Sequence, residues 1–142
     1  MNEKIDIFDI DAMTEKDIQQ INPQSLAFVG DAVYSLFIRT HFCKASSARS
    51  RKLHKQSTDF VKASAQSNAL DDIYDSLTEN ELAVAKRARN TKVNTMSKHA
   101  KMIEYKKSTA FEALLGYLYL SGKRDRLNEL LNLAVKNFGE TK

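Results

Sequence analysis

The chain has 142 residues, of which 42% are apolar, with four Gly, one Pro, one Cys and a net charge of +4. That length fits a single domain with a real core, and the scarcity of Gly and Pro argues against a turn-rich β architecture. The lone Cys43 excludes an internal disulfide framework and a multi-cysteine zinc site; it is expected to be a buried thiol at a helix end. The first residues, Met1 to Asp6, lack the basic start and apolar run of a signal peptide. No stretch of 18 apolar residues could span a membrane, so the expected location is the cytoplasm.

The charge falls in blocks. Residues 1–20 carry six acids and two bases, and residues 71–85 carry five acids and no base. Residues 21–70 carry seven bases and two acids, and residues 86–107 carry eight bases and one acid. A +7 stretch over 22 residues fits either a polyanion partner or a solvated charged face.

In chain order, residues 1–21 read as an acidic arm with no clean period, loose or briefly helical. Residues 22–142 read as one domain. Asn22-Pro23 is a helix start, an Asn cap followed by Pro at the first helical position. The helix it opens runs to about Phe42, with Leu26, Val29, Val33, Leu36 and Phe37 recurring at three and four. After a polar stretch, a second helix covers roughly 48–75, with Leu53, Phe60, Val61, Leu70, Ile73 and Tyr74 inward. Its interspersed Ser and Thr predict a kink or a split. Thr78 and Glu81 match a capping box and open a helix of about 79–90, with Leu82, Ala85 and Ala88 inward. Residues 90–106 read as a polar basic loop. Helices over 107–120 and 124–138 follow, around the Ser121-Gly122 break. No alternating strand pattern, internal repeat or low-complexity segment is present, so the predicted fold class is all-α.

Two carboxylates stand out because each is set in an apolar run. Asp31 lies in Phe28-Val29-Gly30-Asp31-Ala32-Val33-Tyr34, and Glu112 in Phe111-Glu112-Ala113-Leu114-Leu115-Gly116. A buried charge without a partner is costly, and two such charges relieve that cost together by sharing a divalent cation. Gly30 and Gly116 sit beside or one turn from these acids. A glycine inside a helix costs about 0.5–1 kcal/mol relative to alanine, so each needs a packing reason. Close approach of the two helices is the simplest, and it would bring Asp31 and Glu112 together. Mg²⁺ takes oxygen ligands and is commonly held by one or two carboxylates with retained waters; such an ion activates water against a phosphodiester. Structural readings stay open beside this one. Thr109 and Glu112 also fit a capping box, and Asp31 has Tyr34, Ser35 or a lysine as potential partners.

The basic run Lys86-Arg87-Ala88-Arg89-Asn90-Thr91-Lys92 ends a helix, where cations complement the dipole. It continues through Lys98, His99, Lys101, Lys106 and Lys107, beyond that turn, which suits a phosphate backbone. The few aromatics in this run argue against base stacking and favour a duplex read by shape and 2′-hydroxyls. His41, His54 and His99 form no ligand pair, and there is no phosphate-cradling Gly-rich loop, nucleophile elbow or zinc signature.

These segments resemble the ribonuclease III family. One signature is Phe28-Val29-Gly30-Asp31-Ala32-Val33; the other is Glu112-Ala113-Leu114-Leu115-Gly116 followed by Tyr119-Leu120. Leu53-His54-Lys55, Arg87-Ala88-Arg89-Asn90 and Ser108-Thr109 add to the match, which covers roughly 22–138. The resemblance is closest to the branch that carries the catalytic domain alone, with no double-stranded-RNA-binding domain. It implies a helical ribonuclease III endonuclease-domain bundle, active as a homodimer on double-stranded RNA with Mg²⁺, Mn²⁺ substituting. It further implies maturation of a 23S ribosomal RNA precursor, with room for a ribosomal-protein helper and no membrane partner. Asp31 and Glu112 map onto the family's catalytic, metal-associated carboxylates. Where the full-length members carry further acids this chain has Gln24, Ala27 and Thr109, so one ion per site is expected instead of two. Without an appended RNA-binding domain, affinity must come from the basic surface, and Arg87, Arg89, Asn90, Lys92 and Lys98 are the expected RNA contacts. The rivals are a non-catalytic helical RNA-binding or ribosome-associated module, which would bind duplex RNA without cutting it, and a DNA-binding helical regulator, which would prefer duplex DNA.

Overall fold

A computed structural model describes residues 4–45, 50–91 and 99–136 of the chain. Seven α-helices and one 3₁₀ turn are found there: α1 Glu15–Gln19, α2 Pro23–Ala45, α3 Ser50–Val61, α4 Ala63–Ile73, the 3₁₀ turn Tyr74–Ser76, α5 Glu79–Arg89, α6 His99–Leu120 and α7 Arg124–Lys136. There is no strand among the described residues, and the fold is all-α. No described helix is long and apolar enough to cross a membrane.

The predicted helix starts have local causes. The Asn22 side chain accepts from the Gln24 N–H at 2.8 Å, capping α2 ahead of Pro23. Thr78 accepts from the Glu81 N–H while Glu81 accepts from the Thr78 N–H, so the capping box of α5 is reciprocal. At the end of α6, Gly122 takes a φ of +71°. The Lys123 N–H reaches the Leu118 carbonyl at 3.0 Å and the Gly122 N–H reaches that of Tyr119 at 3.1 Å, which is a Schellman ending.

The long second helix does split. Lys62 is extended, with φ −72° and ψ 159°, and separates α3 from α4. Upstream of the break, Ser57 and Thr58 both donate to the His54 carbonyl, back-bonding that weakens a helix.

Three expectations need correction. First, α6 begins at His99, so Lys101 and Lys106 lie on a helix and not in a loop. The segment lacks an apolar stripe because it runs past the bundle into solvent, where Ile103 and Tyr105 are exposed; helix formers such as Ala100, Met102 and Glu104 still sustain it. Second, Cys43 is exposed, because its side of α2 is turned away from the core. Third, the inward face of α2 is Leu26, Ala27, Gly30, Tyr34 and Ile38. Of the stripe read from periodicity, Leu26 is buried and Val33 and Phe37 pack against the core, while Leu36 is 57% exposed; Phe28, outside that stripe, is 81% exposed.

The core is built around α6, which packs against α2, α4, α5 and α7. From Ser108 to Leu118 every residue except Glu112 is buried. Arg126 on α7 donates to both Glu81 carboxylate oxygens and to the Ser76 carbonyl, which ties α7 to α5. At the N-terminal side, the Tyr117 hydroxyl and Lys123 ammonium share the Glu15 carboxylate at 2.6 and 2.8 Å. Those bonds hold α1 against the end of α6 and draw the Glu15 carboxyl below its ordinary range, chiefly through Lys123.

Candidate active site

The site lies where α2 crosses α6. A Cβ at Gly30 would overlap the main chain of Glu112, and a Cβ at Gly116 would overlap the carbonyl of Leu26. The two glycines therefore let the backbones approach more closely than any side chain would allow. Asp31 follows Gly30 on one helix, and Glu112 stands four residues before Gly116 on the other. The structure brings these two carboxylates into side-chain contact. Asp31 is exposed, while Glu112 is partly buried.

Thr109 sits inside α6 and donates to the Tyr105 carbonyl at 2.9 Å, so it caps no helix and Glu112 is not part of a capping box. Nor does Asp31 have a lysine or arginine: among the described residues the ion pairs are Lys62–Asp59, Lys107–Asp71, Lys123–Glu15, Arg124–Asp9, Arg126–Glu81 and Arg126–Glu129. Two acids that meet without a cation repel, and the cost is lowest when one keeps a proton. Burial and then the neighbouring Asp31 push the Glu112 carboxyl from 4.5 up to about 8.

One further side chain reaches the pair. Gln66 on α4 is 2% exposed, and its amide favours the charged form of Glu112, against the larger effects of burial and Asp31. Nothing in the sequence singled it out, since it stands in the polar stretch Lys62 to Asn68 with no motif around it. Tyr34, one turn beyond Asp31, packs edge-on against Phe111 with ring centroids 5.0 Å apart. Its hydroxyl is buried without a partner, and burial raises its pKa.

The donor set is two carboxylates and no soft ligand, which suits a hard divalent cation such as Mg²⁺ or Mn²⁺. The lack of a basic partner fits the same ion, because a cation between the acids would neutralise both. No group of three or more His, Cys, Asp or Glu side chains is present among the described residues. The protein therefore offers few ligands of its own, and water or substrate oxygens would complete a coordination shell.

The basic candidates separate. Arg87 donates from its two terminal nitrogens to the carbonyls of Gln19 and Ile21, at 2.7 and 2.8 Å. Its guanidinium is thus a brace between α5 and the segment leading into α2, and the expectation of a free phosphate contact is corrected for this residue. The reason is geometric: the inner side of the last turn of α5 faces carbonyls left open at the end of α1. Arg89 and Asn90 are exposed at the end of α5. Lys92 and Lys98 lie outside the described residues. His41 and His54 are exposed on α2 and α3, and neither belongs to the carboxylate pair.

The outward side of α2 lines a groove of about 810 Å³ together with the N-terminal arm, α6 and α7. Phe8, Phe28, Val33, Leu36 and Tyr119 contribute to its walls, and Asp31 is among its lining residues.

A family model for the ribonuclease III domain matches residues 24–123, a span that includes both carboxylates and both helix-crossing glycines. The Mini-ribonuclease 3 of Clostridium tetani is 44% identical over 129 residues, covering 90% of this chain and 85% of that protein. The Mini-ribonuclease 3 of Enterococcus faecalis is 38% identical over 128 residues, covering 89% of this chain and 97% of that protein. A crystal structure of a protein from Fusobacterium nucleatum matches with a TM-score of 0.75 at 32% identity, covering 85% of this chain and 97% of that one.

Proposed function

The chain belongs to the ribonuclease III family, on its mini-ribonuclease 3 branch, and is a ribonuclease III-type endoribonuclease acting on double-stranded RNA; from that premise we propose that Asp31 and Glu112 are its catalytic pair, that they hold one Mg²⁺, and that a homodimer matures a 23S ribosomal RNA precursor in the cytoplasm. The observation that carries the catalytic part is the meeting of two carboxylates, with no basic partner among the described residues, at a glycine-mediated helix crossing. The rRNA substrate and the compartment rest on the family branch.

When bound, Mg²⁺ or Mn²⁺ supplies charge stabilisation for the phosphodiester and activates water for in-line attack. The chain's own residues do the rest. Exposed Asp31 offers a carboxylate oxygen on the side open to RNA. Glu112, partly buried on α6, would hold the ion from the other side and would have to lose its retained proton to do so. Arg89 and Asn90 lie exposed at the end of α5 and are open to a phosphate backbone, and Lys92 and Lys98 extend the same basic run in sequence. Apolar side chains around Glu112 exclude bulk water from its inner side, which strengthens charge interactions there.

The homodimer reading is supported by the outer face of α2. A helix apolar on both sides is normally covered on both, and Phe28 at 81% and Leu36 at 57% exposure are not covered among the described residues. A second copy pairing through that face would bring each Asp31, which lines the groove, close to the partner. One duplex would then meet two sites, and cuts on both strands with staggered ends are expected.

The decisive experiment is incubation of the protein with long duplex RNA in Mg²⁺ and in chelator, alongside Asp31→Asn. Cleavage should need the ion. Losing one charged ligand should remove several kcal/mol of transition-state stabilisation, about a thousand-fold in rate, with folding and duplex binding kept. Full turnover by Asp31→Asn, or by wild type in chelator, would refute the assignment. Binding without cutting under every condition would favour a non-catalytic RNA-binding module.

A further inference from the structure

We propose that the N-terminal arm, residues 4–13, is part of the contact surface between two copies of this chain, with Ile7 and Phe8 presented on a fixed turn to the second copy. This rests on the reading of the protein as a homodimer that pairs through the outer face of α2.

The arm holds two large apolar side chains in water. The Asp9 N–H reaches the Asp6 carbonyl at 3.1 Å, and the Asp6 carboxylate accepts from the Phe8 N–H at 3.0 Å. Ile7 and Phe8 are therefore the two central residues of a tight turn. Such positions usually go to Gly, Pro, Asn or Asp, and here Ile7 is 55% and Phe8 78% exposed. The turn and the chain after it are tied down. The Tyr119 hydroxyl donates to the Ile7 carbonyl at 3.1 Å. The Met13 N–H donates to the Leu120 carbonyl at 2.9 Å, and just beyond it Glu15 holds Tyr117 and Lys123. All these anchors are polar, and all lead to the end of α6 or the turn after it. They fix the backbone without burying Ile7 and Phe8. A segment that stays in water is normally poor in large apolar residues, whereas positions 5–10 include Ile5, Ile7, Phe8 and Ile10. Holding apolar groups in place beforehand lowers the ordering cost of association.

The position of the turn selects the occupant. Ile7 and Phe8 line the same groove as Phe28 and Leu36, so the arm continues the apolar face assigned above to the second copy. That face needs the extension. On α2 alone, Phe28 and Leu36 are the large apolar side chains left exposed among the described residues, and a stable pair engages about 20–30 residues on each side. The charge around the turn is wrong for a polyanion: Asp6, Asp9 and Asp11 flank it and repel a phosphate backbone. It is right for a second copy. Asp9 and Arg124 stand 3.9 Å apart, with side chains 84% and 65% exposed. One face thus offers both signs, and across a two-fold axis each can meet its opposite.

The test is sedimentation equilibrium of the intact protein over a range of concentrations, for wild type, Phe8→Ser, the double variant Ile7→Ser with Phe8→Ser, and Ile103→Ser. Duplex RNA affinity in chelator is measured alongside. Ile103 is exposed on α6 and does not line the groove, so it controls for the loss of any exposed apolar side chain. Burying one ring or branched chain strengthens association roughly tenfold or more, and in a symmetric pair each side chain counts twice. Phe8→Ser should therefore raise the dimer dissociation constant by about 100-fold, the double variant should raise it further, and Ile103→Ser should not change it. Far-UV circular dichroism should be unchanged, because both side chains project into solvent in the protomer. If the double variant does not fold, Phe8→Ser decides. Duplex cleavage by Phe8→Ser should fall at low protein concentration and return as concentration rises, which damage to the carboxylate pair would not allow. A wild-type-like dissociation constant in the folded arm variants overturns the inference. So does an equal loss in Ile103→Ser, or a loss of duplex affinity with dimerisation intact, which would put the arm against RNA. A wild type that stays monomeric at every concentration would overturn the homodimer reading itself, an outcome separate from failure at the arm.

Discussion

Helix α2 turns Leu26, Ala27, Gly30, Tyr34 and Ile38 toward α6, and turns Phe28, Val33 and Leu36 toward an open groove. Both faces are apolar, yet among the described residues only the first is fully covered. The inner face is the less greasy of the two, since it contains a glycine, an alanine and a tyrosine. It forms the core because small residues let two backbones touch, and close contact over a long crossing buries more than bulky side chains held apart. The outer face has the bulk but leaves Phe28 and Leu36 exposed among the described residues. Hydrophobicity alone therefore does not distinguish a core from an interface, whereas small residues at a helix crossing do.

The sharpest way to break this contrast is at Gly30. Gly30→Ala places a methyl group against the Glu112 main chain, and backbone cannot move aside as a flexible side chain can. Overpacking of this kind costs about 3 kcal/mol, and the α2–α6 separation it forces would also part Asp31 from Glu112. Urea unfolding should show the lost stability, and cleavage should fall with it. A Gly30→Ala protein as stable as wild type would mean that the two helices do not need their close approach.

On the outer face the expectation is reversed. Phe28→Glu replaces an exposed ring with a charge, so the folded protomer should change by no more than about 0.5 kcal/mol. Self-association should weaken strongly, because a charge would have to be buried in an apolar interface. Light scattering at micromolar concentration would then report a monomer where wild type gives a dimer. A dimer unaffected by Phe28→Glu would locate the interface elsewhere and remove the explanation for the exposed apolar face.

Much of this architecture was legible in the residues. Asn22-Pro23 and the Thr78–Glu81 box mark helix starts by chemistry that operates over three or four residues, and both are used as expected. The paired glycines pointed to the crossing that joins Asp31 and Glu112. What escaped was set by tertiary contact. Periodicity on α2 found Leu26 but set Leu36 inward and missed Ala27, Gly30, Tyr34 and Ile38, because small and polar-tipped residues carry no apolar signal. The first turns of α6 carry no apolar stripe because they need none in solvent. Arg87 looked like its basic neighbours until α1 supplied carbonyls for it. Gln66 had no local signature at all: its place is set by the helix break, across which its amide donates to the Val61 carbonyl.

Between the two faces stands the carboxylate pair, and its titration yields the smallest but most diagnostic effect. Glu112 has an ordinary value of 4.5 and is raised to about 8 in the folded protein. Between those limits the folded state holds a proton that the unfolded chain has lost. By linkage, the stability this group contributes is fully present below pH 4.5 and declines as pH rises through 8. The ion-free protein should therefore lose a few degrees of Tm over that window, and Glu112→Gln should flatten the decline. Mg²⁺ acts in the opposite sense. It binds the folded state and stabilises it by mass action, and it competes with the same proton, so its stabilising effect should be greater at pH 8 than at pH 6. Melting curves in chelator and in Mg²⁺ at those two values check both signs. A Mg²⁺ effect independent of pH, or a slope that survives Glu112→Gln, would show that the ion and the proton do not share this carboxylate.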